Sequence, residues 1–185
     1  PDSYTVALQN LKSRANTFTA RAVDQLSGKF ISADPRHNAA VSFQRNLDTI
    51  NWMIVNPWVV SRSAARQDVR HYHFSRLREL FRFLALEIFA PGGQTPKGYV
   101  VLSISRKKNM SALKILDFYF ENSEDIFIAG YLALKYAAEY RVNRLEYPAD
   151  LEAYYSGQSV FNRDTKRQKR LYLYRPHSTG SPLAR

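Results

Sequence analysis

His71-Tyr72-His73 is the tightest grouping of metal-capable side chains in this 185-residue chain, since an extended backbone turns both imidazoles to one side. Two such histidines need a third ligand. None stands out beside them, and no metal site is expected. Around them run Arg62, Arg66, Arg70, Arg76 and Arg78, of which the first three would stack on one face of a helix. A second locus is Glu121-Asn122-Ser123-Glu124-Asp125, where Asn122 or Ser123 can cap a helix whose first turn holds acids. The four histidines, at 37, 71, 73 and 177, fit no Ser-His-Asp order, and Gly92, Gly93 and Gly98 make no phosphate loop. Neither hydrolase nor nucleotidase chemistry is supported.

The stretch that must position the acidic locus runs from Lys97 to Glu152. Residues 97–105 alternate apolar with small or polar side chains, and Arg106-Lys107-Lys108-Asn109 ends that strand in a charged turn. Leu113 to Phe120 is a second strand, rich in aromatic and branched residues and close enough for an antiparallel hairpin. From Ile126 to Arg141 the spacing of Phe127, Tyr131, Leu134 and Ala138 predicts a helix with those residues on one face. Leu145-Glu146-Tyr147 then reads as a short strand before Pro148. Strand, crossover helix and strand predict a βαβ unit with parallel strands. Glu79 to Phe89 fits a strand through Phe81, Phe83 and Ala85, and a helix through Leu80, Leu84 and Ile88. The strand is preferred, hairpinned to 98–105, because the sheet needs an antiparallel partner there.

Residues 1–56 are expected to form a helical segment of the same domain. One or two helices fill 4–28, and another runs from Asp34-Pro35 to near Asn56, where Pro57 disfavours continuation. Trp52 and Trp58 flank that junction. They read first as anchors of the helix on the sheet and second as the lining of a substrate groove. Beyond Pro148 a short helix opens at Asp150, a basic loop spans 163–170, Leu171–Tyr174 is a strand, and 176–185 is a flexible tail.

With 45% hydrophobic and 14% aromatic residues, the chain can bury a core as one domain. No run of about 18 apolar residues occurs, so no membrane span is expected, and a cytoplasmic protein is. The absence of cysteine removes disulfides and thiolate chemistry. A first residue of Pro1 instead of Met reads as a processing boundary. The net charge of +11 is uneven: 51–110 holds ten basic and three acidic groups, 163–185 holds seven and one, and 111–162 holds four and eight. Two basic halves flank an acidic βαβ unit, and such a surface attracts anionic partners.

The order strand, strand, helix, strand, carried by Gly98-Tyr99-Val100-Val101-Leu102, Leu113-Lys114-Ile115-Leu116-Asp117-Phe118 and the Ala- and Tyr-rich helix to Tyr140, resembles the centre of the GNAT (Gcn5-related N-acetyltransferase) fold. Among GNAT-like proteins it looks most like the divergent bacterial ones of surface-polysaccharide and aminoacyl-transfer pathways, and Ile50-Asn51-Trp52…Pro57 is similar to a run that precedes their sheet. The resemblance covers residues 50–175 and implies an α/β (α+β) domain, a mixed and mostly antiparallel central sheet with flanking helices. It implies acyl transfer from acetyl-CoA to a small-molecule amine, an amino sugar among them. It places Phe118, Tyr119, Phe120, Asn122 and Ser123 against the cofactor, with Arg106, Lys107 or Lys108 helping to hold it. For the catalytic steps it points to Asp117 or Glu146 as general base, Asp117 facing away from Leu116 and Phe118 into a cleft, and to Tyr154 or Tyr155 as the acid that protonates the thiolate. The family's glycine-rich pyrophosphate loop is replaced by Glu121-Asn122-Ser123-Glu124-Asp125-Ile126, with no glycine and three carboxylates.

Three readings follow. One is an N-acyltransferase. Another is a catalytically silent GNAT-like module that binds a partner or sits inside a larger enzyme. The weakest is a nucleic-acid binder using 62–78 and 163–175, where arginines interleave with Tyr72, Tyr172 and Tyr174.

Overall fold

Between residues 80 and 120 branched and aromatic side chains recur with the two-residue period of a strand, and the chain there makes three long strands. The computed structural model describes residues 12, 17–27, 47–62, 76–148 and 151. In chain order the elements are β1 (Thr19–Val23), α1 (Leu47–Val55), β2 (Val59–Ser61), β3 (Arg76–Arg78), β4 (Leu80–Phe89), β5 (Pro96–Lys107) and β6 (Met110–Phe120). A 3-10 turn (Ser123–Ile126) leads into α2 (Phe127–Glu139), and β7 (Arg144–Glu146) follows.

The main sheet has the order β1-β4-β5-β6-β7, and β2 and β3 pair with each other in parallel. The first four strands run antiparallel to their neighbours, while β6 and β7 are parallel across the α2 crossover. This is an α+β fold with a mostly antiparallel sheet. The two predicted hairpins and the βαβ unit are all present.

The sheet separates two cores. On one side Leu84, Leu86, Ile88, Val100, Leu102, Ile104, Leu113 and Ile115 meet α2. On the other, Ala85, Tyr99, Val101 and Tyr119 meet Leu26 and, from α1, Leu47 and Ile50. Central strands buried on both faces bring most of the apolar area out of water, at roughly 25 cal/mol per Å2.

The structure corrects the expected helical character of residues 1–56. Thr19–Val23 is an edge strand, paired from Thr19↔Phe89 to Val23↔Ala85. Four of its five residues are exposed, so its conformation is set by hydrogen bonding to β4 and leaves little apolar pattern to read. α1 ends at Val55, close to the expected stop, and the other expected elements of that segment lie outside the described residues. So do the helix opening at Asp150, apart from Leu151, and everything expected from 152 to 185.

α2 buries Phe127 and Leu134 as expected, but its buried face is broader than the expected stripe and takes in Ile128 and Leu132. Ala129, Ala133 and Ala137 are buried at four-residue spacing, Tyr131 is half-buried, and Ala138 is exposed. Small side chains let the helix lie close on the sheet. It ends on Arg141 in the left-handed region (φ 49°), where the Arg141 N–H donates to Ala138 O and the Val142 N–H to Ala137 O. Glycine normally fills this helix-ending position.

Two stability predictions follow from these backbone features. Arg141→Gly should raise stability by about 1 kcal/mol, read as a higher urea midpoint, because glycine adopts positive φ without penalty. Gly98→Ala should lower it by about 2 kcal/mol or more, since the added methyl would stand 2.5 Å from Tyr119 O and 2.6 Å from Phe120 Cδ1. An unchanged midpoint for Gly98→Ala would mean that the β5–β6 pair is not packed as described.

Candidate functional site

The centre of the site is an extra residue in β6. Val101 pairs with Asp117 and Leu102 with Ile115, so Leu116 is inserted without a partner of its own on β5. A bulge of this kind breaks the alternation of side chains. Before it Leu113 and Ile115 face α2; after it Phe118 and Phe120 pack on the same side, their rings 6.4 Å apart. Leu116 packs with the α1-side core, and Asp117 joins it there in lining a small apolar recess of about 10 Å3 with Ile50, Met53, Ile54, Phe83 and Val101. The expectation that Asp117 faces away from Leu116 is therefore corrected: the bulge places both on one side. Asp117 Oδ1 accepts from the Phe118 N–H at 2.8 Å.

The ladder between β6 and β7 is short. It runs through Ala112↔Arg144, Leu113↔Leu145 and Lys114↔Glu146, while β6 continues to Phe120. Glu146, the second expected base, ends β7 and is ion-paired with Arg144 Nε at 3.1 Å. Its register partner Lys114 lies about 10 Å along β6 from Asp117, so the two carboxylates do not form an adjacent pair. Tyr154 and Tyr155 lie outside the described residues, as do Arg66, Arg70, His71 and His73. Among the described residues no group of three His, Cys, Asp or Glu side chains could hold a metal.

Beyond β6, Asn122 caps the 3-10 turn, its Oδ1 accepting from the Glu124 N–H at 3.1 Å while the Asp125 N–H donates to Asn122 O at 3.0 Å. Ser123, the other expected cap, is exposed. Two of the amides that an anion would use are thus already engaged. Glu121 pairs with Lys97 at 2.9 Å. Desolvation first, and the neighbouring Glu124 second, push the Asp125 carboxyl above its ordinary value.

The cations expected to help at this turn are elsewhere. Lys107 pairs with Met110 and Arg106 with Ser111, which puts them roughly 30 Å along β6 from Phe120. Arg106 donates to Tyr140 O at 3.4 Å, at the carboxyl end of α2, whose amino end adjoins Asn122 and Ser123. The fold therefore holds Arg106 and Lys107 apart from Asn122 and Ser123. Phe118, Tyr119 and Phe120 do adjoin the turn, but Tyr119 is buried in a stack on Tyr99 with centroids 6.1 Å apart.

One residue the sequence reading passed over is Glu87. It is 7% exposed, lies in β4 between Arg21 and Tyr99 in register, and accepts the Ser27 N–H at 2.6 Å. Asn51 of α1 completes the fastening: its side chain accepts the Leu26 N–H at 2.8 Å and donates to Leu26 O at 3.0 Å. The available signal was a lone acid inside the apolar run Leu84-Ala85-Leu86-Glu87-Ile88-Phe89. Trp52 and Trp58, expected to anchor α1 on the sheet, are instead about half exposed. Among the described residues no helix is long and apolar enough to cross a membrane. No family model and no curated protein matches this chain.

The raised Asp125 pKa carries a sign. A carboxylate whose folded pKa lies above its unfolded value contributes stability below the unfolded pKa and loses it as pH rises through the folded one. Asp125→Asn should therefore stabilise the protein slightly at pH 7, and that advantage should vanish on acidification through the carboxylate range. Thermal unfolding of both proteins across that range reads it, and an advantage that grows in acid would overturn the assignment.

Proposed function

We propose that this chain is a GNAT-like N-acyltransferase domain, moving an acyl group from a coenzyme A thioester such as acetyl-CoA to an amine, with an amino sugar as one acceptor class. The observation that carries the reading is the short β6–β7 ladder. Its three pairs end at Lys114↔Glu146, while β6 runs on through the Leu116 bulge to the amino end of α2. A strand continuing past its neighbour offers a place for an extended chain with amide groups to lie. The α+β order with one parallel crossover supports the same reading.

Asp117 and Glu146 are the carboxylates available to this mechanism. Either can take the proton that an acceptor ammonium must lose before its nitrogen attacks a carbonyl carbon. The pyrophosphate end of the donor is a different matter. Glu121, Glu124 and Asp125 repel it, no glycine opens the turn, and the amides of Glu124 and Asp125 are spent on Asn122. These residues do not fit a diphosphate. That misfit favours a second reading, a GNAT-like module that binds a protein partner and no longer transfers acyl groups.

Calorimetric titration with acetyl-CoA separates the two. The acyltransferase reading expects weak, saturable binding, strengthened on the order of tenfold in the Glu124→Gln/Asp125→Asn double variant, because removing two nearby charges relieves about 1 kcal/mol or more of repulsion. No heat of binding from either protein sinks that reading in favour of the silent module.

A further inference from the structure

One end of the sheet gathers exposed apolar side chains inside a field of cations. Trp58 is 54% exposed, Leu77 55% and Met110 67%. They come from three separate stretches that backbone hydrogen bonds draw together. The Arg76 N–H donates to Trp58 O at 2.9 Å, which sets the tryptophan beside the start of β3. The Glu79 N–H donates to Arg106 O at 3.1 Å, which ties the end of β3 to the end of β5. Lys107 and Met110 then close the β5–β6 hairpin as a register pair.

Among the described residues the charge around these three is mostly positive. Arg62 lies against Arg78 through its own N–H, bonded to Arg78 O at 2.8 Å. Arg106, Lys107 and Lys108 form the hairpin rim. The acids in this neighbourhood are already engaged. Glu79 Oε1 accepts the Lys108 N–H at 3.0 Å, and Glu146 is paired with Arg144. Ser61 Oγ both donates to Phe81 O and accepts from the Phe81 N–H, fastening the β2–β3 pair to the edge of β4. The apolar and basic side chains are therefore presented by anchored backbone.

We propose that this end of the sheet, with Trp58, Leu77 and Met110 beside the hairpin cations Lys107 and Lys108, docks on an anionic lipid surface. Tryptophan settles at the boundary of headgroups and acyl chains, where its ring is apolar and its N–H finds a partner. Long basic side chains reach the headgroup phosphates while their stems cover apolar surface. Nucleic acid would use the same cations but leaves Leu77 and Met110 without a role. The lipid surface accounts for both halves of the pattern.

The chain holds two tryptophans, so in Trp52→Phe all indole emission comes from Trp58. The probe is that variant of the full chain with vesicles of phosphatidylcholine alone or mixed with phosphatidylserine. The proposal expects a blue shift and loss of quenching by iodide with phosphatidylserine only, both reversed by high salt. Replacing Lys107 and Lys108 by glutamine should weaken binding on the order of twentyfold or more, since each basic residue near an anionic surface contributes about fivefold. Met110→Ser should weaken it at unchanged salt dependence. Circular dichroism of each variant confirms an intact fold, and exposed positions such as these tolerate substitution. Any of three results overturns the proposal: no blue shift with either vesicle, a shift equal in both, or a salt-sensitive shift given by a DNA duplex with none from vesicles.

Discussion

The inserted Leu116 is the constraint on which the rest of this structure depends. A strand presents alternate residues to opposite faces, so if alternation ran unbroken through Leu116, Phe118 and Phe120 would join the α1 side and Tyr119 would point at α2. One extra residue lets an eleven-residue strand supply Leu113, Ile115, Phe118 and Phe120 to the same helix, while Leu116 and Tyr119 serve the opposite core. It also brings Asp117 onto the α1 side, beside a recess too small for anything larger than a water molecule. The position of the one carboxylate in β6 is thus a consequence of packing on both faces of the sheet.

Much of this architecture was legible. The strands at 97–105 and 113–120 showed in their branched and aromatic residues, 79–89 was settled as a strand by the partner the sheet needs, and helix chemistry at 121–125 marked the crossover. Three features were not. Thr19–Val23 is a strand because β4 offers it hydrogen bonds, and tertiary pairing of that kind leaves no apolar period in five mostly exposed residues. The buried face of α2 sets Ala129, Ala133 and Ala137 beside Phe127, Ile128, Leu132 and Leu134, and alanines weigh little in a pattern of large side chains. The bulge has no residue signature here, so alternation read across it put Asp117 on the wrong side of Leu116. The separation of Arg106 from Asn122, by contrast, was implicit once 98–105 and 113–120 were read as a hairpin, since the turn of a hairpin lies at the far end from its open termini.

Glu87 shows how a buried charge can organise a fold without taking part in chemistry. Its carboxylate holds the Ser27 N–H while Asn51 brackets Leu26, so the segment after β1 is fastened to the sheet and to α1 at adjacent residues. Removing one partner from such an arrangement leaves a polar group unpaired in the interior, which costs more than the hydrogen bond itself contributes. A lone acid in an apolar strand is on these grounds better read as a fastening than as a catalyst.

The electrostatics of α2 bear on both functional questions at once. Glu124 and Asp125 stand at its amino end, and Arg106 donates to the carbonyl of Tyr140 at its carboxyl end. Arg82 reaches the hydroxyl of Tyr140 nearby. Glu124 and Arg106 complement the helix dipole, a favourable term of typically ~0.3–1 kcal/mol apiece, while desolvation makes the Asp125 charge a net cost. The dipole that would attract a phosphate is therefore answered from within the chain, at the end where the resemblance to acyltransferases would seek one. The cations removed from that end are concentrated at the other, beside Trp58 and Met110. A single choice of charge placement thus weakens anion binding at the start of the helix and leaves the opposite end of the sheet basic enough to meet an anionic surface.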